Sequence, residues 1–236
     1  ITLRNQTGRY GEAKSKLDAH IFHPWEGGEG KVPAQYQFAR VEMAKVAIAE
    51  KRYSDAVGLL EECLVYPPHL GEGKLYGAQE NDFYYLLGIS YEALGDTDKA
   101  RQCWEQATLG PTEPAAALYY NDAKPDKIFY QGLALLKLGR TAEANGRFHR
   151  LVNYGEKHLF DTVRMDYFAV SLPDLLIWED DLQLRNEIHC KYMMALGYRG
   201  LGDRDKSDRY INEVASLDIN HQGIQAFVSL MDMALA

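Results

Sequence analysis

Apolar positions recur at helical spacing along most of this chain. Tyr84, Leu87, Gly88 and Tyr91 fall at i, i+3, i+4 and i+7, and Ala100, Cys103, Trp104 and Ala107 repeat the pattern beyond Gly95. Each set marks one face of an amphipathic helix, and the short turn between them makes the two helices a hairpin. The same order of helix, Gly or polar turn and alanine-marked helix returns at Gly8-Arg9-Tyr10-Gly11-Glu12-Ala13, Lys51-Arg52-Tyr53-Ser54-Asp55-Ala56, Leu138-Gly139-Arg140-Thr141-Ala142-Glu143-Ala144 and Leu201-Gly202-Asp203-Arg204-Asp205-Lys206-Ser207. The turns stand at 8, 51, 95, 139 and 202, separated by 43, 44, 44 and 63 residues. Such a period marks a repeat architecture, in which a single hairpin cannot cover its own apolar face and the next one stacks on it.

Across each turn the pattern sets small residues against small residues. Ala44, Gly88, Gly132 and Ala195 pair with Ala56, Ala100, Ala144 and Ser207, and Leu60, Trp104, Phe148 and Ile211 fill the space beside them. A large residue, Leu-Gly and Tyr in the first helix, followed by Ala, an aromatic residue and Ala in the second, resembles the tetratricopeptide repeat (TPR). Tyr84, Leu87, Gly88, Tyr91, Gly95, Ala100, Trp104 and Ala107 carry the likeness most fully. It implies an all-α fold: a right-handed α-α superhelix, a TPR-like solenoid with enlarged inter-repeat loops, running as one array over residues 1–236. The TPR period is about 34 residues, so roughly ten are added per unit. The helix after Asn220, with Ile224, Phe227, Val228 and Met231 on one face, reads as a terminal first helix that closes or continues the stack.

The added residues fall between one hairpin and the next, and they echo each other. His23-Pro24-Trp25-Glu26-Gly27-Gly28-Glu29-Gly30-Lys31 is followed one period later by Pro67-Pro68-His69-Leu70-Gly71-Glu72-Gly73-Lys74. Insertions at a fixed phase of a solenoid emerge on one side, so these loops should share an edge. The enlarged unit, residues 155–188, contains Pro173-Asp174, a stop followed by a start, and predicts one or two additional short helices. Together with Ala78-Gln79-Glu80-Asn81-Asp82, Tyr119-Tyr120-Asn121-Asp122 and Tyr167-Phe168-Ala169-Val170-Ser171-Leu172-Pro173-Asp174, the inserts resemble the C-terminal repeat region of large bacterial proteins of unassigned function. The N-terminal part of those proteins is a galactose-mutarotase-like β-sandwich. The resemblance implies that this chain, which opens on Ile1, is a fragment of such a protein and that any carbohydrate chemistry resides upstream.

Composition narrows the function classes. Apolar residues are 46% of the chain and the net charge is −8, values of a folded protein with a real core. With 34 acidic against 26 basic side chains and no basic stripe, nucleic acid is disfavoured as a partner. No apolar run reaches the roughly 20 residues of a membrane span. Three cysteines inside helical patterns, Cys63, Cys103 and Cys190, suit a reducing cytoplasm better than a disulfide framework.

Local motifs point away from catalysis. Gly-Glu-Gly-Lys lacks the leading Gly and trailing Ser or Thr of a phosphate loop. The histidines show no ligand spacing, so no metal or cofactor is expected. Carboxylates at Glu72, Glu80, Asp82, Asp122 and Asp126 sit near helix starts, where the helix dipole favours them without any catalytic role. No catalytic residue is assigned.

Two surfaces remain as binding candidates. The inner face of the first helices carries Val41, Lys45 and Ile48, then Asp82, Tyr85, Ile89 and Glu92, then Asp126, Phe129 and Leu133, and then His189, Tyr192 and Arg199. With Val41, Tyr85, Phe129 and Tyr192 at one equivalent position, this face suits an apolar partner rather than a peptide carboxylate, unless the inserts fold in and cover it. The insert edge presents His23, Trp25, Glu26, Lys31, Glu72, Lys74, Glu80, Asn81, Tyr119, Tyr120, Asn121, Asp122 and Asp174. The expected function is a scaffold for another protein or for the N-terminal part of the same polypeptide. The alternative is a carbohydrate-binding region, in which Trp25, Tyr119, Tyr120 and Trp178 would stack on sugar faces.

Overall fold

The computed structural model describes residues 1–25, 27–116, 122, 124–164 and 181–235, and the regular structure among them is helical. Eleven α-helices are described. Ten of them form five hairpins: α1 (Thr2–Gln6) with α2 (Tyr10–Asp18), α3 (Lys31–Ala49) with α4 (Tyr53–Cys63), α5 (Asn81–Ala93) with α6 (Thr97–Ala107), α7 (Pro125–Lys137) with α8 (Thr141–His158), and α9 (Leu182–Gly200) with α10 (Arg204–Leu217). Helix α11 (Gln222–Leu235) follows, and a short 3-10 turn spans Pro68–Leu70. The all-α hairpin architecture expected from the periodicity is present.

The period has a stereochemical origin in the turns. At each hairpin the residue closing the first helix adopts positive φ, with Gly8 at 73°, Lys51 at 62°, Gly95 at 84°, Gly139 at 74° and Gly202 at 85°. The amides pair identically every time. Gly95 N–H donates to Glu92 O (3.1 Å) and Asp96 N–H to Tyr91 O (2.9 Å), and Arg9, Arg52, Arg140 and Asp203 repeat the second bond to the carbonyl five residues back. This is the Schellman cap, which needs a left-handed residue and so selects glycine. Only the second hairpin seats a lysine there.

Long-range contacts gather in two compact units, Ile1–Ala107 with Gln225–Ala236, and Thr108–Ile224. In the first, Ala44, Ala56 and Ala100 are buried where α3 meets α4 and α5 meets α6. A Cβ at Gly88 would collide with the Trp104 indole, so the absence of a side chain on α5 makes room for the bulk on α6. Arg40, only 2% exposed, ties three helices together. Its guanidinium lies 3.4 Å from the Tyr36 ring centroid on α3, donates from Nε to Glu62 Oε2 of α4 (2.7 Å) and pairs with Asp18 of α2.

In the second unit Phe148 is fully buried in a cradle of two glycines, Gly132 on α7 and Gly200 on α9, where any Cβ would overlap its ring. Further along the same pair of helices, a Cβ at Gly155 would stand 2.6 Å from Cys190 O, and one at Gly197 would stand 2.7 Å from Phe148 O. Helices α8 and α9 therefore approach backbone to backbone, a contact only glycine permits.

One expectation changes. The apolar face of α11 is set by Phe227 and Leu230, at 5% and 3% exposure, whereas Val228 points to solvent at 44%. Residues Gln225–Leu235 belong to the first unit, so α11 does more than extend the last hairpin. The expectation of one or two short helices between 155 and 188 rests on a segment whose middle, residues 165–180, lies outside the described residues. Flanking them, α8 runs unbroken to His158 and α9 begins at Leu182, where Asp181 caps it by accepting from the Gln183 and Leu184 amides.

Candidate functional site

The first two inserts meet in the first unit, as their common phase required. Phe22 N–H donates to His69 O (2.8 Å) and Gly30 N–H to Glu72 Oε2 (2.7 Å), joining loops some forty residues apart. Gly71, at φ 77°, permits the approach, because a Cβ there would stand 2.7 Å from Phe22 O. Leu70 is driven beneath the loops into a cluster with Leu17, Val32 and Tyr36, against which Phe22 also packs. Above that cluster the loops leave apolar groups in water: Ile21 (68% exposed), Trp25 (51%), Val65 (60%) and Leu75 (51%), with Tyr76 fully exposed. The Trp25 ring rests on the bare backbone of Gly28.

The polar candidates on this edge divide into exposed and structural groups. His23 and Lys31 are at the surface, and Lys74 anchors its loop by donating to Leu64 O (3.0 Å) and pairing with Glu80 (2.5 Å). Glu72 is spent on the Gly30 amide. Asn81 is buried, and its Nδ2 donates to Ala107 O (2.8 Å), so it fastens α5 to the end of α6 rather than facing a ligand. Asp122 lies half-buried in the second unit. Glu26, Tyr119, Tyr120, Asn121 and Asp174 lie outside the described residues, as does Trp178.

On the inner face, Val41, Phe129 and Tyr192 are core residues rather than parts of an open ladder. Among the described residues, neighbouring rings and backbone cover the two aromatic residues. Phe129 packs on Phe148 at 5.8 Å between centroids, while the Tyr192 hydroxyl donates to Gly223 O (3.0 Å) and its ring meets His221 at 4.8 Å. Burial pushes the Tyr192 phenol well above its usual pKa. Tyr85 is partly buried, with its phenol raised to about 12 by burial and then by the Glu92 carboxylate. Ile89 and Leu133 are half-buried, Glu92 is exposed, and Arg199 lies 3.8 Å from Asp208.

His189 belongs to a cavity of roughly 250 Å³ in the second unit, where Arg185, Asn186, Asp218 and His221 face the apolar Ala116, Val163, Leu182 and Ile188. Its Nε2 donates to Ala115 O (2.7 Å), and the His221 Nδ1 accepts from Ile224 N–H (3.1 Å). Burial lowers both imidazole pKa values, which keeps the pair neutral near pH 7. The i, i+4 spacing of Arg185 and His189 on α9 was available in the sequence. The return of His221 to the same cavity was not, because it depends on the α10–α11 turn. Among the described residues no group of three or more His, Cys, Asp or Glu side chains is placed to hold a metal ion.

Residues 82–109 and 128–154, within the α5/α6 and α7/α8 hairpins, each match a tetratricopeptide repeat family model. A solved chain from Podosopora anserina, assigned as a kinesin light chain with nearly identical TPR-like repeats, aligns over 93% of this chain and 91% of that one. The two share 17% identity, with a TM-score of 0.34. No described helix is long and apolar enough to cross a membrane.

Proposed function

We propose that this chain is a protein-interaction scaffold whose partner docks on the insert edge of the first unit. The observation that carries the reading is the exposure of Ile21, Trp25, Val65, Leu75 and Tyr76 on two loops that are themselves tied down by the Phe22–His69 and Gly30–Glu72 bonds. Ordered loops that hold large apolar groups in water mark a contact surface, because their hydration is relieved only by a partner. The TPR hairpins supply the rigid support. The inner face is a poorer candidate, since three of its four ladder positions are already covered.

The partner is either a separate protein or the N-terminal part of a longer polypeptide. The likeness of the inserts to those of large bacterial proteins with a mutarotase-like β-sandwich supports the second form, and with it a link to carbohydrate metabolism. A direct sugar-binding role has one observation in its favour: Trp25 is propped on Gly28 with half its surface open, as a stacking platform would be.

A photo-crosslinking residue at position 76, introduced into the full polypeptide in its source cell, tests the docking edge. It should give a discrete adduct that the same probe at the exposed Lys99 does not. Trp25→Ala should abolish that adduct while leaving the melting curve unchanged. Equal adducts from both positions, or an adduct indifferent to Trp25→Ala, would overturn the assignment. An adduct with glycan instead of protein would transfer the edge to the carbohydrate reading.

A further inference from the structure

A second surface of the first unit already holds a helix, and its chemistry is unusual for a permanent core. Lys45 and Glu42 on α3 are 2% and 1% exposed and paired at 2.7 Å. The remaining bonds of the ammonium go to α11: Lys45 Nζ donates to Ala226 O (2.7 Å) and to Ser229 Oγ (3.1 Å). Gln225 Nε2 donates in turn to Asn5 O and to the Tyr10 hydroxyl, both at 2.9 Å. Beyond these bonds, α11 contributes two buried apolar anchors, Phe227 and Leu230, while its other described side chains stay half or fully exposed. Among the described residues Glu42 Oε2 is buried without a hydrogen-bond partner.

A buried ion pair adds little net stability, because the hydration both charges lose nearly offsets their attraction, and an orphaned carboxylate oxygen adds a further penalty. An interface selected only to stay shut would replace Lys45 and Glu42 by apolar side chains. Here, lifting α11 opens the Lys45 ammonium to water, which replaces its bonds to Ala226 and Ser229 while the Glu42 pairing persists, so the open face is tolerable in its own right. Two arrangements close in free energy make a switchable element.

We propose that the α1–α3 face around Lys45 is a receptor for an amphipathic helix, and that Gln225–Leu235 sits on it as a displaceable resident ligand. The partner it fits is a helix that presents an aromatic residue and a leucine three positions apart, with a small hydroxyl residue beside them for Lys45, as Phe227, Leu230 and Ser229 do. This surface is separate from the insert edge, and either assignment can fail without the other.

The test uses the full chain and, as probe, a fluorescent peptide of residues 220–236. The α11 amides should exchange with deuterium far faster than the core amides of α3. The probe should bind at least tenfold tighter to a full chain carrying Phe227→Ala and Leu230→Ala, whose resident helix is weakened, than to the unaltered chain. The same two substitutions in the peptide should abolish its binding. Exchange of α11 only through global unfolding, equal affinity for the two chains, binding of the altered peptide, or failure of the Phe227→Ala/Leu230→Ala chain to fold would each show that α11 is a fixed structural element, and would overturn the proposal.

Discussion

Replacing Lys51 by glycine should make the protein more stable although it removes a side chain and adds no contact. Five hairpins use the same Schellman cap, and four seat glycine at φ 73–85°, whereas Lys51 holds φ 62° with a Cβ in place. A non-glycine residue in the left-handed region costs about 1–2 kcal/mol. Glycine gives back roughly 0.5–1 kcal/mol through the greater freedom of its unfolded chain. The net gain is then up to about 1.5 kcal/mol, with a midpoint of about 0.75 kcal/mol. Lys51 is exposed, so packing does not enter, and Lys51→Ala controls for the lost charge while keeping the strained seat. Repeat arrays open locally, so hydrogen exchange of the α3 and α4 amides is the sharper readout, supported by urea unfolding followed by circular dichroism. The expected order of stability is Gly above Ala, with Ala close to Lys, and Gly95→Lys should lose what Lys51→Gly gains. A Lys51→Gly variant no more stable than Lys51→Ala would show that the repeated cap does not control hairpin stability.

Other substitutions probe the packing. Gly88→Ala and Gly132→Ala drive a methyl into Trp104 and Phe148 and should each cost about 1–3 kcal/mol in urea unfolding, the range for overpacked cores. Ser207 is fully buried with no partner for its hydroxyl among the described residues, at the position where other hairpins carry Ala56, Ala100 and Ala144. Ser207→Ala should therefore raise stability by about 1 kcal/mol, and a loss would mean that the hydroxyl is satisfied in solution. Burial holds His189 and His221 below their usual pKa of 6.5, so below that pH the unfolded chain takes up protons that the folded one refuses. The stability they contribute is complete above 6.5 and is lost as pH falls through their lowered values. Melting curves on both sides of 6.5 should show this drop, and His221→Gln should shrink it.

The hairpins could be read from the sequence because their determinants are local. A left-handed seat, two amides bonded across it and small residues opposite one another all fall within about twenty residues, and they recur in step. The meeting of the first two inserts was readable for the same reason, since Gly28 and Gly71 sit one period apart. What failed was the distinction between an inner face and an open one. Helical spacing puts Phe129 and Tyr192 on the inner side of their helices, but whether that side meets solvent depends on Phe148, His221 and Gly223, which no periodicity announces. The exposed residues of the proposed docking edge are legible only in part. The sequence singles out Trp25 but not Ile21, Val65, Leu75 and Tyr76, because an apolar residue in a loop looks the same in sequence whether it is tucked under or left out. The position of α11 was hardest, since the bonds from Lys45 to Ala226 and Ser229 span more than 180 residues.

That span also bears on how the molecule is made. Chains emerge from the ribosome N-terminus first, and α1 to α6 can stack as soon as residue 107 is clear. Lys45, Asn5 and Tyr10 must nevertheless wait for residues 225–229 before their last bonds close. Throughout translation of the second unit, the charged floor of the first stays wet, a vacancy that a nascent-chain chaperone or an early-arriving partner helix meets before the protein's own tail does.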